Sequence, residues 1–287
     1  MQILRADAMG MCFGVRDALA ALVRVDAPAQ TTIHGELVHN GEVLAMLARR
    51  GFQRGPEAAR EVPPTAVVAI TAHGISERER ARLLAAGKRL VDTTCPLVQK
   101  AHAAAQQLAG EGRRVVVLGK ADHVEVRGLV EDLVDPIVCG GLADVQRWPE
   151  DRLGVLCQTT TPSGHATTLL DAIRAANPHA DVRFVDTVCS PTKARQQALA
   201  ELLPRIDALV VVGGRDSNNT RELARTAVAA GVRTVHVEHV RELDPAWFHA
   251  VQRVGLTAGT STLQRSIDEV HGWLQRLATA MAVASRD

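Results

Sequence analysis

Short, continuously apolar runs alternate along the chain with longer segments whose apolar positions recur every three or four residues. Runs of the first kind, such as RRVVVLG at 113–119 and DALVVVG at 207–213, are typical of buried parallel strands. Segments of the second kind, such as KAHAAAQQLAGEG at 100–112, indicate amphipathic helices. Strands that alternate with helices predict an α/β fold with parallel sheets.

The same pattern occurs three times, each time with a cysteine just beyond a predicted strand. VDTTC stands at 91–95 and VDTVC at 185–189, while MQILRADAMGMC at 1–12 provides the third copy. In each copy a helix and a strand follow the cysteine, and this strand ends at a glycine 23 or 24 residues later. Regular spacing of this kind indicates internal duplication.

Three copies predict three similar modules with small parallel sheets, arranged as a pseudo-threefold trefoil around one shared centre. A further apolar strand that ends in small polar residues completes each module. The predicted modules are residues 12–94, 95–188 and 189–287, and residues 1–11 form an N-terminal strand that joins them. Open parallel sheets bind ligands at the carboxyl ends of their strands, where all three cysteines are expected.

Composition and charge exclude several classes of function. A net charge of +1 over 287 residues and an aromatic content of 2% provide neither a basic face nor a stacking platform for nucleic acid. The chain has no apolar run long enough to span a membrane, and its first residues lack the apolar core of a signal peptide. Five cysteines without a secretory signal favour reduced thiols in the cytoplasm.

Three cysteines that meet at one point are expected to bind a metal. No C-x-x-C motif is present, which excludes zinc ribbons, thioredoxin-like redox sites and ferredoxin-type ligand runs. Two options stay open, a zinc site closed by histidine or water and a four-iron–four-sulfur cluster whose fourth iron lacks a protein ligand. Cys139 and Cys157 lie outside the repeated position and are interpreted as small buried hydrophobes.

Polar side chains follow the predicted strands at matched positions. Three of them lie 27 or 28 residues after the three cysteines, and others follow the last strand of each module. Imidazole, hydroxyl and amide groups just ahead of helices are typical ligands of phosphate, although no Walker A or G-x-G-x-x-G motif indicates a nucleotide. The candidates are His39, His73, His123, Thr159, Ser217, Asn218, Asn219 and Ser261.

Glu125 is a carboxylate among these candidate anion ligands, where a permanent negative charge would repel the substrate. A salt bridge to Arg127, or a favourable charge at a helix N-terminus, would give it a purely structural role. Its functional interpretation is a proton donor or relay. Together these features predict reductive chemistry at an open iron, with a phosphorylated substrate and one internal acid.

Eight segments resemble the 4-hydroxy-3-methylbut-2-enyl diphosphate reductase family, which ends the methylerythritol phosphate route to isoprenoids. They extend from residue 10 to about residue 263 and read GMCFGV, ELVHN, TAHGIS, VDTTCPLVQKAH, HVEVRG, CQTTT, VDTVC and TAGTS. The resemblance implies a three-module α/β trefoil around a four-iron–four-sulfur cluster. It also implies that two electrons and two protons remove an allylic hydroxyl, giving isopentenyl and dimethylallyl diphosphate.

The resemblance implies a role for each candidate residue. Cys12, Cys95 and Cys189 would ligate the cluster, and its fourth iron would take the substrate hydroxyl as a Lewis acid. Glu125, hydrogen-bonded toward Thr159, would deliver protons, and a small ferredoxin or flavodoxin would supply electrons. The allylic diphosphate would be bound by His39, His73, His123, Thr159, Ser217, Asn218, Asn219 and Ser261.

Two alternatives stay open, and four departures from the family pattern bear on the first of them. Phe13 follows the first cysteine, Pro191 and Lys193 are inserted after the third, Asn218 replaces a serine, and Leu263 stands near the place of a usual proline. They leave the cluster prediction intact but bear on the substrate. The first alternative is a paralogue that reduces a different allylic diphosphate, and the second is a non-catalytic iron–sulfur sensor or a zinc-stabilised binding protein.

Overall fold

Short strands and helices alternate throughout residues 1–57 and 61–284, which the computed structural model describes. The strands in these residues are β1 (Gln2–Arg5), β2 (Thr31–Ile33), β3 (Gln53–Arg54), β4 (Val67–Ile70), β5 (Arg89–Asp92), β6 (Arg114–Leu118), β7 (Ile137–Cys139), β8 (Arg152–Cys157), β9 (Asp181–Val185), β10 (Ala208–Val212), β11 (Arg233–Val237) and β12 (Arg253–Ala258). The α-helices are α1 (Phe13–Val23), α2 (Gly41–Arg49), α3 (Glu77–Ala85), α4 (Pro96–Gly110), α5 (Val124–Glu131), α6 (Ser163–Ala176), α7 (Ser190–Leu202), α8 (Asn218–Ala229) and α9 (Gln264–Ala284). None of these helices is both long enough and apolar enough to cross a bilayer.

The strands form three sheets of four strands each, in the orders β3-β2-β4-β5, β7-β6-β8-β9 and β1-β12-β10-β11. The strand pairs within these sheets are parallel. The first two sheets each come from one continuous segment, whereas the third takes β1 from the N-terminus and pairs it with β12. The α/β class with three small parallel sheets is therefore confirmed, while the exact module boundaries stay a prediction.

The described chain divides into two compact units. Unit 1 comprises Met1–Phe13, Val38–Ala45 and Ser190–Asp287 and contains the sheet β1-β12-β10-β11. Unit 2 comprises Gly14–Leu37 and Met46–Cys189 and contains the other two sheets.

The continuous apolar runs of the sequence correspond to strands that bury both faces. In β10 all five side chains are buried, and alternate residues belong to different cores. Val210 and Val212 pack with Ile267 of α9, whereas Leu209 and Val211 pack with helices α7 and α8. Because helices cover both faces, a strict alternation of polar and apolar residues is absent from this strand.

Close packing of helix α4 on strand β8 depends on a glycine in the strand. A Cβ atom added at Gly154 would lie 2.9 Å from the Cβ of Leu108, closer than real Cβ contacts. Strand β12 also has a closely packed glycine at its third residue, Gly255. A Cβ atom there would lie 2.6 Å from Ile206 Cδ1. Leu108 lies near the C-terminal end of α4, so this contact sets how closely that end of the helix approaches the sheet.

Gly154→Ala is expected to lower the free energy of unfolding by about 1–3 kcal/mol, because the new methyl group must displace Leu108. Urea unfolding followed by circular dichroism measures this change. Gly164→Ala is the matched control, because nothing lies within 4 Å of a Cβ at that helical position. Its unfolding free energy should be unchanged or slightly higher. Equal unfolding midpoints for wild type and Gly154→Ala would contradict the prediction.

Candidate active site

The three repeated cysteines occupy equivalent positions immediately before the helices α1, α4 and α7. The backbone N–H of each donates to a carbonyl two residues beyond the end of a buried strand: Cys12 to Thr260 after β12 at 2.9 Å, Cys95 to Ala72 after β4 at 3.1 Å, and Cys189 to Thr159 after β8 at 2.9 Å. The three repeated cysteines are half-buried. Cys139 and Cys157 are fully buried, as their interpretation as core residues requires.

A glycine leaves room for the sulfur of Cys95. A Cβ atom at Gly14, in the first turn of α1, would lie 2.4 Å from Cys95 Sγ. Any larger side chain at residue 14 would therefore displace the thiol. Thiolates suit iron–sulfur clusters, and the positive end of a helix dipole favours a negatively charged ligand.

The donor set thus fits an iron–sulfur cluster in its chemistry, but the metal site itself stays a prediction. Among residues 1–57 and 61–284, no three or more His, Cys, Asp or Glu side chains are grouped in a metal-binding arrangement.

Glu125 is a buried carboxyl, 1% exposed, in the first turn of α5. Its Oε1 accepts a hydrogen bond from the backbone N–H of Thr159 at 2.6 Å, and its Oε2 accepts one from Thr159 Oγ1 at 2.9 Å. Burial raises the pKa of this carboxyl to about 7, which outweighs the lowering by the two hydrogen bonds from Thr159. A carboxyl with this pKa can hold and release a proton near neutral pH, as a general acid must.

Of the two structural explanations for Glu125, a salt bridge to Arg127 is absent among the described residues, whereas its place in the first turn of α5 fits a favourable charge at a helix N-terminus. The Arg127 guanidinium donates to the backbone carbonyl of Glu57 at 2.8 Å and lies 4.0 Å from its carboxylate. The burial of Glu125 is therefore not explained by a salt bridge within α5.

Thr159 connects the buried acid to one of the cysteine segments. Its N–H and hydroxyl bind the Glu125 carboxyl, and its carbonyl accepts the N–H of Cys189. One residue of the loop after β8 therefore fixes the position of both groups.

Two predicted histidine ligands lie side by side in unit 2. His123 precedes α5 and caps it, because its Nδ1 accepts the Glu125 N–H at 3.1 Å. In a neutral imidazole this leaves the proton on Nε2, which is then a donor. The ring of His73 meets the ring of His123 edge to face, with centroids 5.4 Å apart.

Four of the predicted ligands of unit 1 lie at or just before the starts of α8 and α9, while His39 lies before α2. Ser217 caps α8 by accepting the N–H of Thr220 at 3.3 Å, and the buried Asn218 and Asn219 form its first turn. The hydroxyl of Ser261, also buried, has no hydrogen-bond partner among the described residues. An unpaired buried hydroxyl is costly, so a ligand oxygen would satisfy it.

Asn219 occupies in the third repeat the position that Glu125 occupies in the second. Each residue lies 30 positions after its cysteine. Each also accepts a hydrogen bond from the N–H two residues beyond a buried strand, from Thr159 to Glu125 and from Thr260 to Asn219 at 3.1 Å. The same backbone arrangement therefore holds an acid in one copy and a neutral amide in the other.

Asn40 contacts one of the predicted ligands, Ser261, and was not itself predicted from the sequence. Its Oδ1 accepts the N–H groups of Glu42 and Val43 at the start of α2, and its Nδ2 donates to the carbonyl of Ser261 at 2.9 Å. The preceding residue, His39, packs closely on Gly214, where a Cβ would lie 2.3 Å from the His39 carbonyl oxygen. Asparagine directly before a helix is a recognised capping signal that would have identified this position.

The fold and these residues define an α/β protein with three equivalent thiols and a buried acid. The LytB protein family model matches residues 3–275, and the chain belongs to this family. It is 38% identical to the 4-hydroxy-3-methylbut-2-enyl diphosphate reductase of Solidesulfovibrio magneticus, with 96% of this chain and 99% of the relative covered. It is 35% identical to the reductase of that name from an Anaeromyxobacter species, with 96% and 98% covered.

A solved structure has the same fold. The E-1-hydroxy-2-methyl-but-2-enyl-4-diphosphate reductase of Plasmodium falciparum superposes with a TM-score of 0.87 at 25% identity, over 95% of this chain and 87% of that one. These comparisons confirm the family resemblance and the fold class.

Glu125→Gln is expected to remove a pH-dependent part of the stability. The folded protein keeps the Glu125 proton up to about pH 7, whereas an unfolded carboxyl releases it near its ordinary pKa of 4.5. Stability is therefore lost as the pH rises from the lower value through the higher one, by up to about 3 kcal/mol. Glutamine cannot ionise and lacks this loss. Urea unfolding at about pH 5 and about pH 8 measures the difference.

The control for this measurement is Glu269→Gln, which changes an exposed carboxyl of α9. It should follow the pH dependence of the wild type. If Glu125→Gln also followed it, the raised pKa of Glu125 would be wrong.

Proposed function

We propose that the protein is an iron–sulfur oxidoreductase that removes the allylic hydroxyl of 4-hydroxy-3-methylbut-2-enyl diphosphate. The products would be isopentenyl and dimethylallyl diphosphate. The observation that carries this proposal is the buried Glu125 carboxyl bonded to Thr159, whose carbonyl binds the Cys189 segment. Membership of a family whose relatives bear the name of this reductase supports the same substrate.

The proposed cofactor is a four-iron–four-sulfur cluster ligated by Cys12, Cys95 and Cys189. When bound, it would supply electrons and a Lewis-acidic iron for the hydroxyl oxygen. The three cysteines fit this role by their equivalent positions before helices, and Gly14 fits it by leaving space at the Cys95 sulfur.

The reaction balances with two electrons and two protons. The carbon–oxygen bond breaks, the hydroxyl takes one proton and leaves as water, and the allylic fragment takes two electrons and the second proton. Glu125 is the residue suited to hold a proton for these steps, because burial keeps its carboxyl protonated up to about pH 7. Thr159 orients that carboxyl through two hydrogen bonds.

The diphosphate would be bound by neutral donors. We propose His39, His73, His123, Thr159, Ser217, Asn218, Asn219 and Ser261 for this role. The His123 Nε2–H and the unpaired Ser261 hydroxyl are donors that an anionic oxygen would accept from. The amide of Asn219, at the position equivalent to Glu125, avoids a negative charge beside the diphosphate.

We further propose that a small ferredoxin or flavodoxin in the cytoplasm supplies the electrons. The departures from the family pattern do not favour another function. Pro191 lies within the first turn of α7, where proline is tolerated, and Lys193 is an exposed residue of the same helix. A buried acid with a raised pKa has no use in a sensor, which disfavours that alternative.

Anaerobic turnover tests the function directly. The protein, reconstituted with iron and sulfide and given a strong one-electron donor, is expected to convert 4-hydroxy-3-methylbut-2-enyl diphosphate into the two five-carbon diphosphates. Glu125→Gln should lower the turnover rate by about 10²-fold or more, because the proton donor is lost, while its iron and sulfide content stays that of the wild type. A loaded wild-type cluster without conversion would indicate a paralogue, and an unchanged rate in Glu125→Gln would exclude the proton-donor role.

Serine substitutions test the ligands one at a time. Cys12→Ser, Cys95→Ser and Cys189→Ser are each expected to lose most of the about four irons per chain that a full cluster contains. Cys139→Ala, which alters a buried cysteine away from the repeated position, is the control and should keep them. Full iron content in any of the three serine variants would remove that cysteine from the ligand set.

A further inference from the structure

Arg195 is a buried arginine in α7, only 6% exposed, six residues after Cys189. Its guanidinium binds two backbone carbonyls. Nη1 donates to Pro191 at 2.8 Å, in the first turn of the same helix, and Nη2 donates to Gly10. A buried guanidinium that donates two hydrogen bonds to backbone carbonyls holds the two chain segments that carry them in fixed positions.

Both carbonyls are close to a proposed cluster ligand along the chain. Gly10 lies two residues before Cys12, and Pro191 lies two residues after Cys189. Two residues span at most about 7 Å, so the guanidinium is held near both cysteine segments. Arg195 thereby joins the strand-to-cysteine loop of β1 to the helix that follows the third cysteine.

The loop that Arg195 holds is closely packed and requires a glycine. Gly10 has a φ of +77°, a conformation that favours glycine, and a Cβ there would lie 2.7 Å from Ile267 Cδ1. Its N–H donates to Ala258 at 3.2 Å, and two residues later the N–H of Cys12 donates to Thr260. The N–H groups of Gly10 and Cys12 thus bind carbonyls at the end of β12, while the Gly10 carbonyl binds Arg195.

We infer that Arg195 is a positioning residue for the proposed cluster, which it serves in two ways. It fixes the segment that carries Cys12, and it places a permanent positive charge against carbonyls two residues from Cys12 and Cys189. One-electron reduction adds a negative charge to a cluster, so a fixed cation nearby favours the reduced form and raises the reduction potential. Arginine stays protonated at all working pH values, so this effect does not depend on pH. The inference rests on the proposed function.

Three variants separate the charge from the hydrogen bonds. Arg195→Gln removes the charge and keeps a donor. Arg195→Lys keeps the charge but loses the planar fork that reaches two carbonyls. Lys193→Gln is the matched control, because it removes an exposed charge from the same helix.

The measurements are the cluster's midpoint potential by anaerobic spectroelectrochemistry and the rate at which an iron chelator removes the cluster. Arg195→Gln is expected to have a more negative potential than the wild type, whereas Arg195→Lys and Lys193→Gln should stay close to it. Arg195→Lys should nevertheless release its iron faster, because the Cys12 segment is held less firmly. Iron content is measured first in every protein.

The outcomes distinguish this inference from the proposed function. If the wild type binds a cluster and turns over, but Arg195→Gln keeps the wild-type potential, the charge role is wrong and the function stands. An equal shift in Lys193→Gln would likewise overturn it, since any charge on α7 would then suffice. If Arg195→Gln does not load a cluster, the positioning role is tested with Arg195→Lys instead. Iron release from Arg195→Lys at the wild-type rate would overturn that role. A wild type without any cluster would overturn the inference together with the proposed function.

Discussion

The hydrogen bond from each repeated cysteine's N–H to a carbonyl two residues beyond a buried strand is the interaction on which the site depends. It occurs at Cys12, Cys95 and Cys189, with acceptors at Thr260, Ala72 and Thr159. Each bond fixes the start of a helix against the carboxyl end of a parallel sheet, where ligands of such sheets bind. Because the strands are buried on both faces, their ends are rigid, and that rigidity passes to the cysteines.

Duplication of this arrangement explains how one scaffold carries two kinds of chemistry. Two of the residues that accept a cysteine N–H also donate their own N–H to a side chain. Thr159 donates to Glu125 in the second repeat, and Thr260 donates to Asn219 in the third. The backbone needs only an oxygen acceptor there, so a carboxylate and an amide serve it equally well. Under the proposed function, the choice between the two would follow the need for one proton donor and otherwise neutral groups beside an anionic substrate.

The local pattern of the sequence was enough to predict the buried strands and the helices after each cysteine, because those signals lie within ten or so residues. It did not identify edge strands such as β3, whose two residues are exposed and carry no apolar run. Asn40 was missed although its local capping signal marks it. The roles of Gly14 and Arg195 also escaped, since each depends on a partner distant in sequence, Cys95 and Gly10 respectively. Such contacts leave no periodic trace, so only the folded chain reveals them.

The buried acid sets a final constraint on the fold around it. A carboxyl whose pKa is raised to about 7 makes the folded state less stable at neutral pH, and the surrounding packing must offset that cost. Helix α5 is suited to this, because Val126 and Leu129 pack into one apolar core with Leu156 of β8 and with α4. The core immobilises the helix that carries Glu125 against the strand that leads to Thr159. Burial raises the pKa of the acid, while this packing holds its helix and the two hydrogen bonds from Thr159 hold its carboxyl.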